Sequence, residues 1–415
     1  MEAVPKIEGH AAFYAHLAAG EVDKARVIGL ENDRFVEKIL FGRKYYEAPI
    51  ITSRICGICP TIHSTTSIRA IEDACGITPT SQTVKLRKLL LCGQMIQSHS
   101  LHLYLLVLPD FVGVSSSFEL QKSHPELFQN AIFLKRYADA IIDTIGGRAV
   151  HPITDVPGGF KHFPDKNKLK NLVDDFKNVT EIARKTVELF SGFAYPTIKQ
   201  DLIYCALSLD KEYAFYDGDI KTSRGNKFQS QSYNREIYEE MRHYTRAKFG
   251  TLKGEEMIVG AISRMNLNRN SMGKEIETLM KDLNINVLFT NPFDNIIAQA
   301  IENYYFVLQS QKLIQNFISE GIDKKEPVKP PEEFGTGTAA CEAPRGTLYH
   351  HYGLDKDGYI IKCDIITPTV QNLPAMEKDM KGLAPIIKDM SPEERTKTIE
   401  MLIRAYDPCI TCATH

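Results

Sequence analysis

The sequence predicts a mainly α-helical (α+β) fold: a large multi-helix body around a core of long helices, with small β elements near the N- and C-termini. Three observations predict it. Most of the stretch between residues 61 and 320 carries apolar residues at helical spacing. Residues 1–50 instead show partial alternation around a Gly-Glu turn. Near the other end, "GTLYHHYGLDKDGYIIKCDIITPT" sets two alternating runs around an Asp-Gly pair, the signature of a β-hairpin.

The elements follow in order. "TIHSTTSIRAIEDACG" starts at Thr61 and stops at Gly76, a helix with a glycine end signal. "SQTVKLRKLLLCGQMIQSHSLHLYLLVLPDF" is apolar around much of its circumference, which predicts a long helix inside a bundle. Further helical patterns are "PELFQNAIFLKRYADAIIDTIGG", "KNKLKNLVDDFKNVTEIARKTVELF", "NREIYEEMRHYTRAKF", "GKEIETLMKDL" and "PFDNIIAQAIENYYFVLQSQKLIQNFISEG". "IDKKEPVKPPEEFGTGTAACEAPRG" is rich in Pro, Lys, Glu and Gly and predicts a connector outside the core. "SPEERTKTIEMLIRAY" opens with Ser391 and Glu394 at capping-box spacing. No internal repeat is visible, so one domain over 1–415 is expected. It divides into a β-containing segment (1–60), a helical body (61–320) and a closing connector, hairpin and helix (321–415).

Composition narrows the function. The 415 residues are 43% hydrophobic and 25% charged, with a net charge of −2 and no Lys/Arg block, so neither nucleic acid nor an anionic membrane is an expected partner. No apolar run reaches membrane-spanning length, and "MEAVPKIEGHAAFY" has no signal-peptide pattern; no direct membrane insertion is expected. Nine cysteines, an odd number in a long chain, suit a reducing compartment and predict a cytoplasmic protein.

The chemistry gathers in two motifs. "RICGICPTIH" holds Cys56, Cys59 and His63; "DPCITCATH" holds Asp407, Cys409, Cys412 and His415. Each C-x-x-C turn brings two sulfurs within reach of one metal, and two turns supply four thiolates. Structural zinc is one reading, and a thioredoxin-like pair is another, though no βαβ pattern accompanies it. A redox metal is the third. Extra histidines and acidic neighbours exceed what zinc needs, and soft thiolates suit nickel, iron or copper(I).

The same motifs closely resemble the two signatures of the large subunit of nickel–iron hydrogenases. Further blocks match in the family's order: "KIEGH" (6–10), "GGRAVHP" (146–152), "VPGG" (156–159), "APRG" (343–346) and "IITPTVQN" (365–372). The resemblance implies that family's large-subunit fold. It also implies that Cys56 and Cys409 are terminal nickel thiolates, while Cys59 and Cys412 bridge nickel to an iron carrying CO and CN ligands. His63 would donate a hydrogen bond to a bridging sulfur. Arg345 would hang over the metals and polarise H2, held by Asp407 through a charge-assisted bond. Pro368 and Thr369 would line the diatomic-ligand pocket, with the Thr369 hydroxyl bonding a cyanide. Glu8 would be the first proton carrier, beside the Cys409 sulfur. Glu37, His415 and the carbonyl near Ile365 would hold a magnesium (or iron) ion close to the C-terminus.

Two positions depart from the family pattern: Lys6 stands where an arginine is usual, and Ser98 where respiratory members tend to have an aspartate. Members are commonly made with a tail that is removed after the residue matching His415. The function implied is reversible heterolytic cleavage of H2 to protons and electrons by a catalytic subunit. The five other cysteines are scattered, so iron–sulfur clusters are expected only on a partner small subunit docked near Cys56 and Cys59. The chain most resembles the cytosolic branch, whose further subunits couple H2 to NAD(P), a deazaflavin or a heterodisulfide. An H2-sensing regulatory subunit with low turnover is the alternative.

Overall fold

The computed structural model describes residues 2–33, 35–199 and 201–415. Near the N-terminus, strands β1 (Ala11–Ala18) and β2 (Glu21–Gly29) pair antiparallel around the Gly20 turn. Helix α1 (Pro60–Ala74) starts directly after Cys59, with Pro60 at its first position, where no N–H is needed. Helix α2 (Ser81–Leu101) is capped by Thr80, whose hydroxyl accepts from the Thr83 N–H. It runs on into a π-helical segment, His102–Val107. Helices α3 (Pro125–Gly146) and α4 (Phe176–Ser191) come next, and α2 packs against α3 and against the long α6 (Asp294–Glu320). The all-round apolar character of α2 is thus satisfied by burial on several sides.

Four expectations are corrected. First, "NREIYEEMRHYTRAKF" is not a helix. It forms strands β5 (Ile237–Met241) and β6 (Lys248–Leu252), paired Glu239 to Gly250 and Met241 to Lys248. Packing overrides its helix propensity: Phe249 is buried, and a Cβ at Gly250 would touch Val370 at 3.2 Å. Second, the helical body is interrupted between residues 203 and 258 by a four-stranded sheet. It contains β3 (Ile203–Ser208) and β4 (Asp219–Thr222), with Met257–Ile258 parallel to β3. Third, the connector's second half is the buried strand β7 (Thr336–Ala343). Its Gly337 lies so close to α1 that a Cβ would stand 2.1 Å from Ala74 N, which explains the small residues there. Fourth, the expected helix over 166–190 is two helices, broken at Asp174 and Asp175.

The expected hairpin is present as β8 (Gly346–Leu354) and β9 (Ile360–Ile366), completing an antiparallel sheet with β7. Between the β5/β6 ribbon and this sheet comes α5 (Ala261–Asn268). Helix α7 (Pro368–Gly382) follows the sheet, and α8 (Pro392–Ala405) begins with the expected Ser391/Glu394 capping box. No single helix among the described residues is long and apolar enough to cross a membrane.

Candidate metal centre

Each cysteine motif stands at the start of a helical turn, but the two are held differently. The first folds on itself: the N–H groups of Ile58 and Cys59 both donate to Cys56 Sγ at 3.3 Å. The second depends on distant residues. Asp407 adopts a left-handed backbone, φ 51°, which aspartate tolerates better than most side chains. The Cys409 N–H donates to Thr369 Oγ1 at 3.0 Å, and the Ile410 N–H donates to the Glu8 carbonyl at 2.9 Å. The Thr367 hydroxyl and His415 Nδ1 both donate to the Cys412 carbonyl, at 2.9 and 2.6 Å.

These contacts bring four buried sulfurs within 4.8 Å of one another. Cys56 lies 3.5 Å from Cys409, Cys59 lies 3.6 Å from Cys412, and Cys409 and Cys412 are 3.0 Å apart. Hydrogen bonds from its three neighbours lower the Cys56 thiol well below the usual range, while hydrogen bonding with Cys409 first, and burial after it, push Cys59 and Cys412 up. Four thiolates at this spacing need a metal cation to neutralise them. A small cavity of about 10 Å³ opens beside them, walled by Cys59, His63, Arg345, Pro368, Thr369 and apolar Ala343, Pro344 and Leu348.

The polar groups around the cavity fit a metal cluster with small ligands. His63 Nε2 stands 3.6 Å from Cys412 Sγ. Arg345 is buried, with Nε donating to the Asp407 carbonyl at 2.7 Å and Nη2 donating to Asp407 Oδ1 at 2.8 Å. Its Nη1 is buried and has no partner among the described residues. Because Thr369 Oγ1 accepts from the Cys409 N–H, its own O–H is available to a group in the cavity. Glu8 is half-buried beside Cys409, and burial first, then the Cys409 charge, pushes its carboxyl up.

Glu37, His415 and Ile365 also meet. With His415 Nδ1 donating to Cys412, a neutral ring turns its Nε2 lone pair toward the Ile365 carbonyl at 2.9 Å and Glu37 Oε1 at 3.7 Å. Three acceptors converging this way suit a hard cation. Two residues in this corner were not legible in the sequence. Lys248 reaches both Glu37 oxygens at 3.2 and 3.3 Å and Glu239 at 3.5 Å. Glu239 keeps one buried oxygen unpartnered, and burial pushes its carboxyl up to about 6. Without a bound cation, a ring protonated at Nε2 instead offers Glu37 an N–H: burial opposes ionisation of Glu37, but that hydrogen bond and charge from His415, with Lys248, outweigh it and hold the carboxyl at about 2.

Other residues near the centre also escaped notice. His350 Nε2 lies 3.4 Å from His63 Nδ1, and its other nitrogen meets the Tyr352 hydroxyl at 2.9 Å, so a polar chain leads away from Cys412. The "YHHY" run on β8 was its only signal. Ser98 is buried and its hydroxyl has no partner among the described residues. Support for Asp407 comes instead from Gln299 Nε2, which donates to Oδ2 at 3.1 Å. Lys6 bonds Asp110 at 2.6 Å.

Four thiols drawn from opposite ends of the chain, around a cavity with a buried guanidinium, define a protein that binds its metal through cysteines. A family model described as nickel-dependent hydrogenase matches residues 34–139 and 206–415, and the chain belongs to that family. It is 34% identical to the alpha chain of sulfhydrogenase 1 from Pyrococcus furiosus, over 99% of this chain and 96% of that protein. It is 32% identical to a chain of the F420-non-reducing hydrogenase from Methanothermobacter marburgensis, over 100% of this chain and 94% of that protein. The fold matches a crystal structure of an NAD+-reducing [NiFe]-hydrogenase in the H2-reduced state with a TM-score of 0.89 and 25% identity, covering 100% of this chain and 98% of the other. The protein is therefore an oxidoreductase of the hydrogenase type, with the family's large-subunit fold.

Proposed function

We propose that this chain is the catalytic subunit that cleaves H2 reversibly and heterolytically into protons and electrons. The observation that carries the reading is Arg345: a guanidinium braced by Asp407, with a buried Nη1 left unbonded beside the four thiols. Cys56, Cys59, Cys409 and Cys412 hold nickel and an iron bearing CO and CN. When bound, that centre supplies the Lewis acidity that splits H2.

The chain's own residues do the rest. Arg345 places fixed positive charge where H2 is polarised, in a site shielded from water. The Cys409 sulfur and then Glu8 take the proton; the raised Glu8 carboxyl narrows the gap to its donor, as proton transfer requires. His63 orients Cys412, and the Thr369 hydroxyl with Pro368 seats a cyanide. Glu37, the Ile365 carbonyl and His415 hold magnesium or iron, which fixes the C-terminal segment.

Electrons leave to an iron–sulfur small subunit. The four-cysteine group is the one metal-binding cluster found among the described residues, so onward clusters belong to a partner. Docking near Cys56 and Cys59 is supported by exposed Gly57 and by exposed Ile50 and Tyr46 on the segment leading to them. A soluble acceptor such as NAD(P) or a heterodisulfide system, in the cytoplasm, is consistent with nine free cysteines and with a relative named as an NAD-reducing hydrogenase; a relative named F420-non-reducing does not favour the third acceptor, a deazaflavin.

Infrared spectroscopy with metal analysis tests this. Bands of metal-bound CO and CN with nickel and iron are expected; zinc alone would overturn the reading. Turnover with a fast electron acceptor separates a catalytic subunit from an H2 sensor.

A further inference from the structure

Arg345 is held from its Asp407 side, but a second buried cluster grips the chain just before it. Arg264, on α5, is fully buried and uses all five of its N–H donors. Nε and Nη2 each donate to Glu302 at 2.6 Å, and Nη1 donates to Glu342 at 2.8 Å. The remaining two donate to backbone carbonyls: Nη1 to Ala343 at 2.9 Å and Nη2 to Pro344 at 3.0 Å. Those carbonyls belong to the two residues immediately preceding Arg345. Gly260, at the start of α5, packs against the Arg345 carbonyl so closely that a Cβ would stand 3.0 Å from it.

The cluster is itself braced. His99 Nε2 donates to Glu302 at 2.9 Å, and the Tyr213 hydroxyl donates to the same carboxylate. Glu342 accepts from the Leu207 N–H and the Thr347 hydroxyl, both at 2.8 Å. A pattern joins the two sides of Arg345. On α6, Glu302 serves this cluster, and Gln299, one turn earlier, donates to Asp407. On α2 and its π-helical extension, His99 serves Glu302, and His102, one turn on, bonds Gln299 at 2.5 Å. The same two helices therefore brace Arg345 on both sides, at i,i+3 spacing.

We propose that Arg264 is a positioning residue for Arg345: its fork fixes the Ala343 and Pro344 carbonyls, and so aims the unbonded Nη1 of Arg345 at the four-thiolate cavity. A lysine cannot do this, because an ammonium has three donors and no planar fork to span two carboxylates and two carbonyls together. A buried ion cluster serving only the stability of the fold would not need two of its five donors spent on this one backbone turn.

The proposal rests on the role given to Arg345 above, and the test separates the two. In the assembled, metal-loaded enzyme, Arg264→Lys should leave nickel and iron content unchanged, lower kcat for H2 oxidation 10- to 100-fold, and shift KM for H2 less than threefold. Amide exchange by mass spectrometry should rise at least tenfold in the segment 343–348 and stay unchanged in α6. Arg345→Lys should lower kcat further, and the double variant should be no worse than Arg345→Lys alone, because Arg264 acts only through Arg345. Losses that multiply, or an unchanged kcat in fully loaded Arg264→Lys, would overturn the proposal. An unchanged kcat in Arg345→Lys would overturn the function proposed for Arg345 instead. If Arg264→Lys does not assemble, Tyr213→Phe decides: it removes one hydroxyl from Glu302, and should lower kcat two- to fivefold and loosen 343–348. No change in either measure refutes the idea.

Discussion

The two C-x-x-C motifs have the same length and bring the same sulfurs, yet they are built in opposite ways. The first is held by its own backbone and faces outward, with Gly57 exposed and Ile58 half-buried. The second is buried from Asp407 to Cys409 and from Cys412 to His415, and it is held by Thr369, Thr367, Glu8 and Arg345. The difference divides the labour. In the proposed function, the outward motif is the one that would deliver electrons to a partner. The inward motif gathers the groups to which the proposal gives charge and proton handling, and such groups act more strongly when shielded from water.

The contrast can be broken from the inward side first. Cys412→Ser should abolish nickel retention, measured by metal analysis, because an alcohol is a poor soft ligand. Glu8→Gln should retain both metals but lower H2/D+ exchange about 100-fold or more, the usual scale for losing a proton carrier. Asp407→Asn keeps the shape and tolerates the left-handed backbone but removes the charge beside Arg345. It should cost about 3 kcal/mol in thermal or denaturant unfolding of the loaded enzyme.

The outward side should respond differently. Ile50→Glu should leave metal content and H2/D+ exchange untouched, while weakening partner binding roughly tenfold in a titration. Equal loss of exchange would erase the distinction between the motifs. A last effect, on stability alone, concerns Asp379, whose carboxyl accepts from the Tyr406 hydroxyl at 2.5 Å just ahead of the second motif. Burial pushes it up to about 7 from 3.8. The folded state thus binds that proton more tightly than the unfolded one. Its stability is full below about pH 4 and falls as pH rises through 7. Asp379→Asn should match the parent at pH 4 and exceed it at pH 8, by at most about 4 kcal/mol.

The sequence was most legible where chemistry is carried by rare residue types at fixed spacing. The four cysteines, Arg345 with Asp407, and the Glu37–His415 pair all meet as the motifs imply. Lys248 and Glu239 were hidden because their ribbon, rich in Glu and Arg, carries a helical pattern, and only pairing across β5 and β6 turns them toward Glu37. Arg264, Glu302, Gln299 and His102 were hidden for another reason. Each is a buried polar residue on a largely apolar helix, and one chain's periodicity does not say which neighbour will satisfy it. A signal was present nonetheless, in the three-residue spacing of His99 with His102 and of Gln299 with Glu302 on helices too apolar to be surface elements.

The sulfur pairs that close the cage are 353 residues apart in the chain. At about 5–20 residues per second, the ribosome needs roughly 20 to 70 s to pass from one to the other. Through that interval Cys56 and Cys59 exist as a lone dithiol, open to oxidation and to capture by commoner soft metals. The cage cannot exist in a half-made chain, so metal loading reports that synthesis and long-range folding have both succeeded.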